Sequence, residues 1–110
     1  MANKFIVATR DYYTGYLKFG MVALHSDLKS EGEAVFGGGE FKISEDDKTL
    51  ELYGKSFDFG RPIFDGWEKL KISSDFKGMK ITYHVEPEYP GDPNEKIINL
   101  TNKLEYDDDL

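Results

Sequence analysis

Neutral-pH chemistry in this chain would have to start from His25 or His84, because histidine is the side chain that ordinarily ionises between pH 5 and 8. Their spacing is not that of a metal pair, and the chain has no cysteine to act as thiolate ligand, nucleophile or disulfide partner. No metal and no cofactor is expected. His84 falls on the polar side of the alternating stretch Lys80 to Val85 and reads as a solvent-facing strand residue. His25 differs. It ends an apolar stretch directly before Ser26-Asp27, a kind of junction where site residues gather, and its alternative role is structural. Three short motif matches fail on context. Gly54-Lys55-Ser56 resembles the end of a phosphate loop, but Thr49 stands where that loop needs its first glycine. Asp58-Phe59-Gly60 matches a kinase triplet in a chain of 110 residues that lacks a kinase catalytic loop. Asn99-Leu100-Thr101 has glycosylation spacing, which matters only in a secreted chain.

These residues must be carried by short elements. Lys4 to Thr9 reads as a strand buried on both faces, Asp11 to Gly15 as a turn, and Tyr16 to Leu24 as a second strand with Gly20 at a bulge or close approach. Ser26 to Glu31 allows barely one helical turn, capped by Ser26 or Asp27 and stopped at Gly32. Phe41–Ile43 and Thr49–Tyr53 form a hairpin through the polar link 44–48. Asp65 to Ser73 is expected to be a helix with Trp67, Leu70 and Ile72 partly on one face. After Pro87, Pro90 and Pro93, the run Asp92-Pro93-Asn94-Glu95 has the cap, first-turn proline and capping glutamate of a helix start, with Ile97, Thr101 and Leu104 as its stripe. The expected architecture is α+β: one domain over 1–110, a mixed sheet of about five to six strands, and two to three short helices. Residues 91–110 form a C-terminal helix and an acidic tail in this reading.

Composition narrows the partners. Fourteen basic against 21 acidic side chains give a formal charge of −7, which argues against nucleic acid, whose phosphates need clustered Lys and Arg. Glu105, Asp107, Asp108 and Asp109 concentrate part of that charge in a segment read as a solvated, frayed tail. No apolar run approaches the ~18 residues of a membrane span, and the N-terminal stretch, broken at Arg10, does not have the form of a signal peptide. A cytoplasmic protein without a membrane partner is expected.

Residues 37 to 60 add a more specific indication. They begin with Gly37-Gly38-Gly39-Glu40, pass through the hairpin, and end in Tyr53-Gly54-Lys55-Ser56-Phe57-Asp58-Phe59-Gly60. This order resembles the glycine-triplet, hairpin and Tyr-Gly-x-Ser-x-x-Gly segment of the Janus/Ocnus family, the phosphohistidine phosphatases. The resemblance is good over 37–60 and loose over 4–85, where Lys4 and His25 match the family's early lysine and its histidine at a helix start. It implies a metal-independent phosphatase with His25 as the catalytic group. Lys4, Ser56 and the backbone at Asp58 would hold phosphate, in a pocket drawn from Gly37, Gly38, Gly39, Glu40, Gly54 and Arg61. A neutral imidazole can accept a phosphoryl group or activate water without a metal. The substrate would be a phosphorylated protein or a small phosphoryl compound.

The chain departs from the family at two pocket positions. Glu40 stands where an arginine follows the triplet, and Asp58 where a small residue is usual; a carboxylate opposes a nearby phosphate. The alternative is therefore a non-catalytic acidic interaction or inhibitor protein on the same scaffold, of the kind phages and mobile elements encode. Its partner would be a protein met by some of the 7 tyrosines and 8 phenylalanines. A third reading keeps the pocket for an amine-bearing ligand facing Glu40 and Asp58. On the phosphatase reading, His25→Ala leaves the fold intact and abolishes activity, while His84→Ala does little.

Overall fold

The computed structural model describes residues 1–86, 89–93 and 96–110. Its strands are β1 (Ala2–Thr9), β2 (Thr14–Val22), β3 (Ala34–Ser44), β4 (Thr49–Tyr53), β5 (Lys69–Ser73), β6 (Lys80–Val85), β7 (Lys96–Asn99) and β8 (Glu105–Asp107). They form one curled sheet, a half-barrel, in the order β7-β6-β4-β3-β1-β2-β5-β8. The pairs β2/β5, β4/β6 and β5/β8 are parallel and the others antiparallel.

Strand alternation sorts the side chains. Phe5 and Val7 of β1 face the concave core beside Phe19 and Leu17 of β2, with which they are in register. From β3, β4 and β6 come Phe41, Leu50, Leu52, Ile81 and Tyr83. Much of the aromatic content is spent here. Phe19 packs on Phe76 at 4.8 Å and on Phe41 at 5.1 Å, and Phe64 on Tyr83 at 5.1 Å. On the convex face, Ile6 and Ala8 of β1 are also fully buried. The segment from His25 to Glu33 covers that face, with Leu28 lying over Gly20.

Eight strands and 7% helix correct the α+β expectation; the protein is mostly β. The expected helix over Asp65–Ser73 is replaced by a bend and then β5. Leu70 and Ile72, two residues apart, are both buried while Lys69 is exposed, which is the period of a strand. Trp67 belongs to neither element: its ring covers Gly15 and meets Phe36 edge-on at 5.3 Å, and its Nε1–H donates to Ile63 O at 2.9 Å. The expected C-terminal helix is also absent from the described residues. Asn94 and Glu95 of its start signal, and Pro87 of the preceding loop, lie outside them. Lys96–Asn99 pairs with β6 instead, leaving Ile97 69% exposed while Leu100 and Leu104 enter the core. Nor is the acidic segment frayed. Glu105–Asp107 pairs with β5, and Asp107 accepts Lys71 Nζ at 3.3 Å.

The single turn after His25 forms as a 3₁₀ turn, His25–Leu28, in which Asp27 accepts the Leu24 N–H at 3.0 Å. A second covers Ser74–Phe76. Among the described residues no helix is long and apolar enough to cross a membrane.

Candidate functional site

The glycine triplet lies in β3 where another segment crosses it. Ile63 N–H donates to Phe36 O at 3.0 Å and Gly38 N–H to Gly60 O at 3.1 Å, so residues 60–63 run tight against the strand. Gly37 has φ +90, and a Cβ there would stand 1.9 Å from Arg61 O. At Gly38 a Cβ would be 2.4 Å from Phe5 O and 3.0 Å from the His25 ring. At Gly39 it would be 2.4 Å from Tyr53 O. The triplet is therefore required by close backbone approach on several sides.

The candidate residues of the sequence gather around this crossing. His25 is 7% exposed, and its Nε2 lies 2.8 Å from Gly39 O. A carbonyl can only accept, so Nε2 carries the proton and donates it there. Ser56 is 2% exposed; its N–H and carbonyl exchange hydrogen bonds with Gly60, and its Oγ accepts the Phe59 N–H at 3.1 Å. The tight 56–60 loop thus uses one of the backbone donors a phosphate would need, and it carries Phe57 and Asp58 exposed at its tip. Gly54, at φ +75, offers its carbonyl to the Tyr83 hydroxyl at 2.6 Å, and burial pushes that phenol's pKa up. Lys4 is half-buried and in register with Glu40 on β3, so the acidic residue after the glycine triplet stands beside it on the neighbouring strand. Arg61 is exposed, its Nη2 3.4 Å from Glu86 O. His84, half-buried, is in register with Tyr53 on the convex face. Among the described residues, a cavity of about 220 Å³ is lined by Arg61, Pro62, Ile63 and Tyr83, and neither it nor the larger cavity beside β2 is lined by His25, Ser56, Lys4 or Glu40.

Sequence reasoning missed a second polar cluster, centred on Glu33. Its side chain is 3% exposed and bridges Lys18 at 2.9 Å, with Arg10 at 3.8 Å. It also accepts the Tyr16 hydroxyl and, at 2.7 Å, the Ser30 N–H. Tyr16 and Lys18 project from one face of β2, two residues apart; that shared face was the available signal, but nothing local links it to position 33. The cluster pins the segment that carries His25 to the sheet.

Burial alone would raise the Glu33 pKa, but the Tyr16, Ser30 and Lys18 hydrogen bonds outweigh it and hold the carboxyl below its ordinary 4.5. The Tyr16 phenol is pushed up to about 12, by burial and then by the Glu33 carboxylate. The carboxylate's contribution is therefore present above the unfolded glutamate value and lost as pH falls through the lower folded value. The phenol's is present below the ordinary 10.0 of tyrosine and lost as pH rises toward 12. Glu33→Ala is expected to destabilise by about 2 kcal/mol at pH 7, the scale of charge-assisted hydrogen bonds. Urea midpoints should show the gap to the unsubstituted protein narrowing as pH falls below 4.5; a gap independent of pH would remove this assignment.

Among the described residues, no three His, Asp or Glu side chains converge as metal ligands do. Comparison with protein-family models, with curated proteins and with solved structures returns no match.

Proposed function

We propose that this chain is a non-catalytic, acidic interaction protein that binds another protein, with a cytoplasmic location. The observation that carries this reading is the use already made of the two reactive side chains. The His25 Nε2–H is given to Gly39 O in a buried position, and Ser56 Oγ closes its own loop on Phe59 N–H. A general base or nucleophile needs its reacting atom at the substrate; with Nε2–H held on Gly39 O that atom would be His25 Nδ1, on a ring only 7% exposed, and Ser56 Oγ is only 2% exposed inside its own loop. Exposed aromatics support a protein partner, since such rings are enriched at interfaces: Phe57 is 100% exposed and Tyr13 68%.

A metal-independent phosphatase related to the Janus/Ocnus family is the second reading. In its favour, His25, the glycine triplet and the Ser56 loop are joined through the hydrogen bonds at Gly38 and Gly39. Incubation with phosphoramidate, followed by release of inorganic phosphate, separates the two. No turnover above the buffer rate is expected, and His25→Ala should leave that rate unchanged. Turnover that disappears in His25→Ala would overturn the non-catalytic reading.

A further inference from the structure

We infer that the split between β2 and β5 is a docking groove for an extended basic polypeptide segment, which adds to β2 as a further strand. This inference rests on the interaction-protein reading above and names the partner's chemistry.

The split follows from the register. β2 pairs with β5 only over Thr14–Tyr16 against Lys69–Lys71. Beyond that, β5 turns to β8 through Lys71–Ser73, while β2 runs on to Val22. Among the described residues no strand pairs with this side of β2 after Tyr16. The edge from Lys18 to Val22 is about 17 Å long at the usual rise per residue, and a free edge presents alternate N–H and C=O groups that a peptide in strand form can satisfy.

A cavity of about 750 Å³ opens where this edge begins, lined by Leu17, Lys18 and Phe19 of β2 with Phe76 and with carboxylates from the neighbouring segments. Such a mixed lining suits a strand that turns alternate apolar side chains inward. Its charge selects the rest. Five carboxylates and three cations line the groove. Lys18 and Arg10 are taken by Glu33, and Lys71 by Asp107. Asp11 is engaged by the Tyr13 and Thr14 N–H groups. Asp75 and Asp109 are left exposed, with no cation paired to either among the described residues. The groove therefore favours Lys or Arg on the incoming strand. A second copy of this chain is disfavoured as occupant, because it would bring its own −7.

The probe is a capped nine-residue peptide alternating valine with lysine, compared with the same peptide carrying glutamate for lysine. Each is titrated to millimolar concentration while backbone amides are followed by NMR. The basic peptide should shift the Lys18–Val22 amides and bind at least tenfold more tightly than the acidic one, with the difference shrinking at high salt. Asp75→Lys/Asp109→Lys alters two exposed side chains and should abolish that preference. Equal binding of the two peptides, shifts confined to another face, or no binding of the basic peptide would overturn the groove. Concentration-dependent self-association that protects the same amides would overturn it in favour of a second copy. Phosphoramidate turnover through His25 would remove the underlying reading whatever the peptides do, whereas silent turnover with no peptide binding removes the groove alone.

Discussion

Gly37→Ala is expected to destabilise the protein by about 4 kcal/mol, combining strain from a forced left-handed backbone with a clash that cannot relax cheaply. The methyl group would meet Arg61 O at 1.9 Å and Pro62 Cα at 2.6 Å, and both are backbone atoms. Moving that segment away would break Gly38 N–H to Gly60 O and Ile63 N–H to Phe36 O, bonds of 3.1 and 3.0 Å. For a domain of this size the loss corresponds to a fall in melting temperature of about 15 °C. Gly78→Ala is the matched control. It has φ +83 with nothing within 4 Å of its added methyl, so it should lose only about 1 kcal/mol, the conformational part. Equal melting temperatures for the two variants would mean that the crossing at the triplet is not tight.

The same triplet shows what was legible in the sequence and what was not. Three consecutive glycines stand out in the sequence, and the resemblance placed them in a phosphate pocket. In the structure what lies against them is the chain itself, Arg61 and Pro62 at Gly37, Phe5 and His25 at Gly38 and Tyr53 at Gly39, neighbours that no local pattern identifies. Strands with β-branched runs or clean alternation were readable: Lys4–Thr9, the hairpin of Phe41–Ile43 with Thr49–Tyr53, and Lys80–Val85 all form. Lys69–Ser73 was not, because Trp67 lies three positions before Leu70 and completes an apparent helical face. Its strand state depends on parallel pairing with Thr14–Tyr16, far away in sequence. Ile97 and Ile98 likewise sit behind a convincing cap signal, yet Lys96–Asn99 becomes an outer strand against β6. Of the candidate site, the neighbourhood was legible but the use of its atoms was not. Whether His25 points at solvent or at Gly39 O is decided by how the 25–33 segment folds onto β1 and β2, and the Glu33 contacts that fix this are spread over three segments.

His25 is where the structural and catalytic accounts diverge most. Removing its ring leaves the Gly39 carbonyl without the 2.8 Å donor and opens a gap against Gly38 and Ile6, since Gly38 lacks a side chain to fill it. Loss of that buried hydrogen bond and a small cavity together amount to about 3 kcal/mol. This replaces the expectation, carried by the phosphatase resemblance, that His25→Ala leaves the fold intact. His25→Gln offers an amide N–H at a similar reach and should recover part of the loss.

The most direct measurement is urea unfolding of the unsubstituted protein, His25→Ala and His25→Gln at pH 7. A midpoint well below that of the unsubstituted protein for His25→Ala, with His25→Gln between the two, is the expected result and would establish the ring as a bracket between the 25–33 segment and the triplet. Coincident unfolding curves for all three proteins would contradict it, and would mean that His25 contributes nothing to the fold and is held for chemistry instead.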